Sequence, residues 1–142
     1  MLKQISLFIE NKTGRLARVC RVMAEEGINL RALYLADTAD FGLMRLIVDN
    51  PLLAEEKLKA RELIVSVNEV VGVKVPDRAG GLAEALDILE KEKVSVEYMY
   101  AFLGKSSDKA FVILRLNDNE KGVKALLQNG IEVLAPEEVY TA

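Results

Sequence analysis

The sequence predicts an α+β fold built from two copies of one small unit. An apolar strand that runs through a glycine-containing turn into a helix occurs around Gly14, and again around Gly80, 66 residues later. In both copies the hydrophobic residues alternate before the turn and recur at helical spacing after it. Similarity at a fixed interval is typical of a duplicated domain. We therefore expect one domain at residues 1–68 and a second at 69–142.

In the first copy, residues 3–9 alternate as a strand with one apolar face. Asn11 or Thr13 can provide the N-cap of the helix that follows. Gly27 is suited to end this helix, because glycine adopts a left-handed conformation at little cost. The apolar face of the helix is expected to consist of Leu16, Val19, Cys20 and Met23, with the single cysteine packed in the core as a small hydrophobic residue.

The remaining elements follow in the same order in both copies. Asp49 or Asn50 can cap a second helix that starts at Pro51 and runs to about Glu62. The strands are predicted at 28–35, 43–48 and 64–67, then at 70–75, 94–101, 111–116 and 131–134, with helices of the second copy at 81–92 and 120–128.

Two differences separate the copies. Matching Phe41 with Phe111 and Arg45 with Arg115 gives an offset of 70, which predicts four extra residues in the loop around 104–108. No linker lies near residue 68, because the last strand of the first copy runs almost directly into the second copy. We therefore expect the two copies to form one compact body.

The order β-α-β-β-α-β is the ferredoxin-like arrangement, an antiparallel sheet with both helices on one face. The strand at 43–48 is nevertheless apolar on both faces, and Phe8 and Leu33 fall opposite the expected core side. A strand that is apolar on both faces needs cover on both. The helix-free faces are therefore expected to pack together, either between the two copies or between two chains.

The composition excludes several functions. A net charge of −3 with scattered basic residues argues against nucleic-acid binding. The absence of histidine removes the commonest general base and metal ligand, and one cysteine cannot form an internal disulfide or a metal clip. No run reaches membrane-spanning length and no signal peptide is visible. We expect a cytoplasmic protein that is not an enzyme and holds no metal or cofactor.

Two glycine-containing segments need interpretation. Gly104-Lys105-Ser106 lacks the second glycine of a phosphate-binding loop, since Met99 stands in that place, and a hairpin loop is expected there. The turns at Gly14 and Gly80 can leave backbone N–H groups at a helix N-terminus open to a carboxylate. A tight turn alone would also explain them, but their occurrence in both copies favours a binding loop.

The pattern Glu10-Asn11-x-x-Gly14-x-Leu16-Ala17, followed by a helix ending in Glu26-Gly27-Ile28-Asn29-Leu30, resembles the ACT domain family. Members of this family are small ferredoxin-like modules that bind amino acids and regulate metabolic enzymes or transcription. The second copy, from Val75 to Ala83, looks like the same element. The resemblance spans nearly the whole chain, and it implies a stand-alone tandem ACT protein without an attached catalytic domain.

The resemblance also implies a ligand site between modules, formed by the loop after the first strand and the start of the second strand of a neighbour. Loop amides would hold a carboxylate, and Asn29 or Asp77 an ammonium group. Thr13 and Ala79 stand where the family usually has proline, so both turns are less preset. The implied residues are Asn11, Thr13, Gly14, Arg15, Leu16, Asn29 and Leu30, then Asp77, Arg78, Ala79, Gly80, Gly81, Leu82, Ser95 and Val96.

Asp77 and Ser95 replace the paired Asn11 and Asn29, so the two sites are expected to be unequal. The expected function is that of an amino-acid-binding regulatory protein, a homodimer that signals to a partner enzyme or pathway. The alternative is an accessory subunit that uses the fold for assembly without a ligand.

Overall fold

The computed structural model describes residues 1–10, 12–37, 41–102 and 108–140, with the side chain of Asp37 left out. The described elements confirm the predicted order, except that the strands predicted at 64–67 and 70–75 are one continuous strand, and they include an additional short C-terminal helix. They are β1 (Leu2–Glu10), α1 (Arg15–Glu25), β2 (Leu30–Asp37), β3 (Phe41–Val48), α2 (Pro51–Ala60), β4 (Ile64–Pro76), α3 (Gly81–Lys91), β5 (Val96–Ala101), β6 (Lys109–Leu116), α4 (Asn119–Gln128), β7 (Glu132–Val133) and α5 (Pro136–Tyr140).

The strands form one antiparallel sheet in the order β2-β3-β1-β4-β6-β5, with β7 beside β4. Each half of this order is ferredoxin-like, which confirms the predicted fold class. We call residues 1–68 the first unit and 69–142 the second unit. No described helix is long and apolar enough to span a membrane.

β4 belongs to both units. Its residues 64–70 pair with β1, and its residues 71–76 pair with β6. The predicted boundary at residue 68 therefore falls inside a continuous strand, and the division into two domains remains a prediction. Because β4 belongs to both halves of the sheet, the two units cannot move independently without breaking hydrogen bonds of this strand.

The pairing register corrects the predicted loop length. Ile5 lies opposite Leu46, and its counterpart Val71 lies opposite Leu114. The offset between the units is therefore 66 in the first strand and 68 in the third. The second unit has two extra residues between its second and third strands, and the predicted four was wrong. The match of Phe41 with Phe111 is a coincidence of residue type.

Buried side chains form three clusters. One lies under α1 and α2, one under α3 and α4, and the third lies between the units. The third cluster confirms that the helix-free faces pack together between the two copies. Its buried members are Leu2, Ala32, Ile47, Val70, Tyr100, Ile113, Leu134 and Val139.

Two residues of the first unit, Leu33 and Phe8, do not take part in this packing as predicted. Leu33 packs on the helix side, against the core under α1, so the prediction for it was wrong. Phe8 lies on the helix-free face as predicted, but it is 52% exposed because the second unit does not reach it.

A polar network lies within the interface between the units. The Gln4 side chain is fully buried, and its Nε2 donates to the hydroxyl of Tyr98 at 2.7 Å and to Oδ1 of Asn68 at 3.2 Å. The Tyr100 hydroxyl donates to Gln4 Oε1 at 2.6 Å. Burial raises the pKa of Tyr100. Buried polar groups are costly unless they are hydrogen-bonded, so this network fixes one alignment of the two sheets.

The edges of the two sheets also meet. Ala32 of β2 forms an antiparallel bridge with Phe102, just beyond β5, and the rings of Tyr34 and Tyr100 stack with centroids 5.9 Å apart. The sheet therefore curls so that its two ends approach each other.

The helix α1 departs from two predictions. Cys20 is exposed, and Leu16 is 39% exposed, so neither belongs to the core. The buried face consists of Val19, Val22 and Met23 instead. The spacing i, i+3, i+4 is satisfied equally well by this face, which explains the error. Gly27 has a φ of 69° at the end of the helix, as predicted.

Candidate functional site

The turn before α1 and the turn before α3 have the same backbone conformation. Gly14 has φ 87° and ψ −10°, and Gly80 has φ 86° and ψ −9°. Both glycines occupy the N-cap position, and no side chain among the described residues caps either helix. The prediction that Thr13 caps α1 was therefore wrong, and Asn11 lies outside the described residues. A first helical turn without a side-chain cap leaves N–H groups that can donate hydrogen bonds to an anion.

Backbone hydrogen bonds hold both turns, which we call the glycine loops (residues 12–14 and 77–80). The N–H of Arg15 donates to the carbonyl of Lys12 at 3.1 Å, and the N–H of Gly81 to that of Arg78 at 3.0 Å. A Cβ on Gly81 would lie 2.1 Å from the Pro76 carbonyl oxygen. The second loop therefore needs glycine at this position, where the first has Arg15.

The charges around the loops differ. Glu10 forms ion pairs with Lys12 at 3.2 Å and with Arg15 at 3.6 Å. In the second unit Arg78 pairs with Glu84 at 2.7 Å. The same backbone turn therefore has different charged side chains around it in the two units, and the inequality of the two ligand sites stays a prediction.

The starts of the second strands also match each other. The N–H of Asn29 donates to the Asp49 carboxylate at 3.2 Å, and the N–H of Ser95 to the Asn117 side-chain oxygen at 2.9 Å. These contacts of Asp49 and Asn117 were not predicted from the sequence. The position of each residue, just before a helix cap, is a signal that could have identified them. They fix the backbone of Asn29 and Ser95 and leave both side chains exposed.

The two parts of the predicted site are far apart within each unit. Phe41 of β3 lies opposite Glu10, next to the first glycine loop, and Val48 lies opposite Leu30. The seven residue steps between them correspond to about 23 Å. The second unit has the same separation between Pro76 and Val96 along β6.

The structure places the implied residues as follows. Thr13, Gly14, Leu16, Asn29, Asp77, Arg78, Ala79, Gly80 and Ser95 are exposed, Arg15, Leu30, Leu82 and Val96 are partly buried, and Gly81 is buried.

A cleft of about 250 Å³ adjoins the first glycine loop. We call it the α1–β4 cleft, because it lies between α1 and the start of β4. Arg15 is the only implied site residue among its described lining. The other lining residues could not be predicted from the sequence, because their place in the cleft depends on the turn between α2 and β4. The lining consists of Phe8, Ile9, Glu10, Arg15, Arg18, Val19, Val22, Phe41, Arg61, Glu62, Leu63 and Ile64.

The three arginines of the cleft differ in their partners. Arg61 binds Glu25 at 2.6 Å and Glu26 at 2.8 Å, and these hydrogen bonds raise its pKa. Arg15 lies near Glu10. Within the described part of the chain, the guanidinium of Arg18 has neither a hydrogen-bond partner nor an ion-pair partner. Arg18 is therefore the cation that remains available to an anionic ligand.

The described residues contain no group of three or more His, Cys, Asp or Glu side chains that could hold a metal ion.

Ser95 and Val96 line a shallow groove beside α3.

Comparison with known proteins identifies the family. The family described as an ACT domain pair matches residues 1–142. The crystal structure of protein BT0572 from Bacteroides thetaiotaomicron is 39% identical, with a TM-score of 0.92 over 99% of this chain and 96% of that one. No curated protein gives a significant match.

Regulatory subunits of aspartate kinase share the fold. The subunit from Thermus thermophilus, in its ligand-free form, is 19% identical with a TM-score of 0.64, over 90% of this chain and 92% of that one. The subunit from Thermus flavus is 18% identical with a TM-score of 0.59, over 89% of this chain and 90% of that one. The duplicated fold, the two glycine loops and the match along the whole sequence show that this chain belongs to the family of ACT domain pairs.

Proposed function

We propose that this chain binds a free amino acid and regulates a partner enzyme or pathway in response. The observation that carries the proposal is the pair of uncapped helix starts at Gly14 and Gly80, which have the same backbone conformation. Such starts favour a carboxylate by their N–H groups and by the helix dipole. The similarity to regulatory subunits of aspartate kinase is in keeping with a regulatory role.

A homodimer would complete the proposed site. Within each unit the glycine loop and the start of the second strand lie about 23 Å apart, as judged by seven residue steps along a strand. A neighbouring chain can bring a second-strand start to the loop, with Asn29 or Asp77 binding the ammonium group. We expect a dimer by light scattering at micromolar concentration, and a monodisperse monomer that still binds the amino acid would contradict this assembly.

A thermal-shift screen of the proteinogenic amino acids tests the proposal. A ligand that binds only the folded state raises the melting temperature, by an amount that grows with its concentration above Kd. At least one amino acid should raise it, and Asn11→Ala or Asp77→Ala should remove the response at the occupied site. If no amino acid has an effect, amino-acid sensing is wrong and a role in assembly alone becomes the better account.

A further inference from the structure

We propose that in the first unit the amino acid lies in the α1–β4 cleft, next to the glycine loop, and has an apolar side chain, with Arg18 binding its carboxylate beside the loop N–H groups and Glu62 binding its ammonium group in place of Asn29. This inference rests on the proposed function for its ligand class. It goes further by naming one cleft, two charged anchors and the kind of side chain that is bound.

The apolar part of the lining supports the choice of side chain. Ile9, Val19 and Val22 are each less than 8% exposed and line the cleft on the core side. Phe8, Phe41 and Ile64, which the pairing register places on the helix-free face of the sheet, are each more than half exposed at the rim of the cleft. Large apolar residues that remain exposed around a concave surface are typical of a binding site.

The charges support a ligand that carries both signs. Among the described residues that line the cleft, Arg18 is the arginine whose guanidinium has no hydrogen-bond or ion-pair partner, whereas Arg61 is neutralised by two glutamates. Glu62 lies on the lining as well, with its side chain exposed. A guanidinium binds a carboxylate strongly, and a carboxylate binds an ammonium group. The cleft volume, about 250 Å³, lies just below the usual range for small-molecule sites, which is consistent with a small ligand.

The backbone at Glu62 allows its effect on binding to be tested separately from its effect on stability. Glu62 has a φ of 62°, a left-handed conformation that favours glycine. The corresponding residue of the second unit, 68 positions later, is Gly130, with a φ of 78°. The first unit thus keeps a carboxylate where its own duplicate has the less strained residue. Strain of this kind is often retained where a side chain is needed.

The chain provides a matched control for this argument. Lys93 has a φ of 58° and corresponds to Gly27 of the first unit, so it is strained in the same way but lies outside the α1–β4 cleft. Glu62→Gly and Lys93→Gly should both raise the melting temperature of the ligand-free protein. Only Glu62→Gly should weaken binding, by at least tenfold. The opposite signs for stability and binding separate loss of a contact from loss of the fold.

Arg18 can be tested in the same way. Arg18→Gln should weaken binding by at least tenfold, while Arg21→Gln, an exposed arginine of the same helix outside the cleft lining, should leave it unchanged. The probe is leucine in calorimetric titrations of the full chain. Serine tests the apolar preference, and 4-methyl-2-oxopentanoate, which lacks the ammonium group of leucine, tests the role of Glu62. Both should bind at least tenfold more weakly than leucine.

The outcomes distinguish this inference from the proposed function. If another amino acid binds better than leucine by polar contacts, or if the Arg18 and Glu62 variants bind as well as the wild type, the cleft assignment is wrong and amino-acid sensing stands. If no amino acid binds in the thermal screen or by calorimetry, both are wrong.

Discussion

Single residues decide the shape of the glycine loops. Gly14 and Gly80 adopt the same left-handed conformation, but only the second loop brings the next residue against a carbonyl oxygen. The sequence could predict the turns, because a glycine between a strand and a helix is a strong local signal. It could not predict the close approach at Gly81, since that depends on the path of Pro76.

Gly81→Ala should destabilise the protein by about 1–3 kcal/mol, because a Cβ at 2.1 Å from the Pro76 oxygen forces the backbone to move. The matched change Arg15→Ala should alter the free energy of unfolding by less than about 0.5 kcal/mol, since Arg15 already carries a Cβ. Urea denaturation measures both. Equal stability of Gly81→Ala and the wild type would contradict the close approach.

Gln4→Ala should destabilise the protein by about 1–3 kcal/mol or more, because it leaves the hydroxyls of Tyr98 and Tyr100 without their buried partner. Gln128→Ala, at an exposed position, serves as the control. A Gln4→Ala variant as stable as this control would show that the network does not hold the units together.

At the scale of elements, local sequence patterns predicted the helices and strands well, whereas an element held in place by tertiary contacts was not predicted. The helices and most strands follow from periodicity, and Asn50 caps α2 as predicted, accepting from the Leu53 N–H at 3.3 Å. The helix α5 was missed because its five residues are too few for a periodic signal. Its position depends instead on tertiary contacts, since Val139 is 2% exposed and the Tyr140 hydroxyl accepts from the Lys3 N–H at 2.8 Å.

The ion pair between Lys74 and Glu138 should make the docking of α5 depend on pH. This pair lowers the pKa of Glu138 and raises that of Lys74. The stabilising free energy that Glu138 contributes to the docking of α5 is present above its unfolded pKa of about 4.3. It is lost as the pH falls through the lower pKa of the folded protein. The Lys74 contribution is present below its unfolded pKa of about 10.4 and is lost as the pH rises through the higher folded value.

Glu138→Gln should therefore lower the melting temperature between about pH 5 and pH 9, and the difference from the wild type should shrink below about pH 4. The Lys3 amide donates to the Tyr140 hydroxyl at the end of α5, so its hydrogen exchange at fixed pH reports the docking of this helix and should be faster in the variant. A difference in melting temperature that is constant down to pH 3 would contradict this account.

At the scale of the whole molecule, the two units are joined more closely than the sequence could establish. The sequence left open whether the helix-free faces pack within one chain or between two. The choice depends on the register of β4 and on the meeting of Ala32 with Phe102, which are long-range features. The candidate site was predicted only in part, because it also depends on long-range features. Arg18 and Glu62 are far apart in the sequence and line the same cleft only in the folded chain.

Because β4 and the third cluster are shared, the full chain should unfold in one cooperative transition. The calorimetric and van't Hoff enthalpies should agree, as expected for a two-state domain of this size. Two resolved transitions, or a calorimetric enthalpy well above the van't Hoff value, would mean that the units unfold separately.

The most direct test of amino-acid sensing is an amide NMR titration of the intact chain with leucine, and with serine as the polar control. The account predicts that leucine shifts the resonances of Gly14 and Glu62 saturably, and that serine shifts them only at much higher concentration. If the Gly14 and Gly80 resonances move with neither of these two amino acids, nor with any amino acid that raises the melting temperature in the thermal screen, the glycine loops are structural turns and the central claim is wrong.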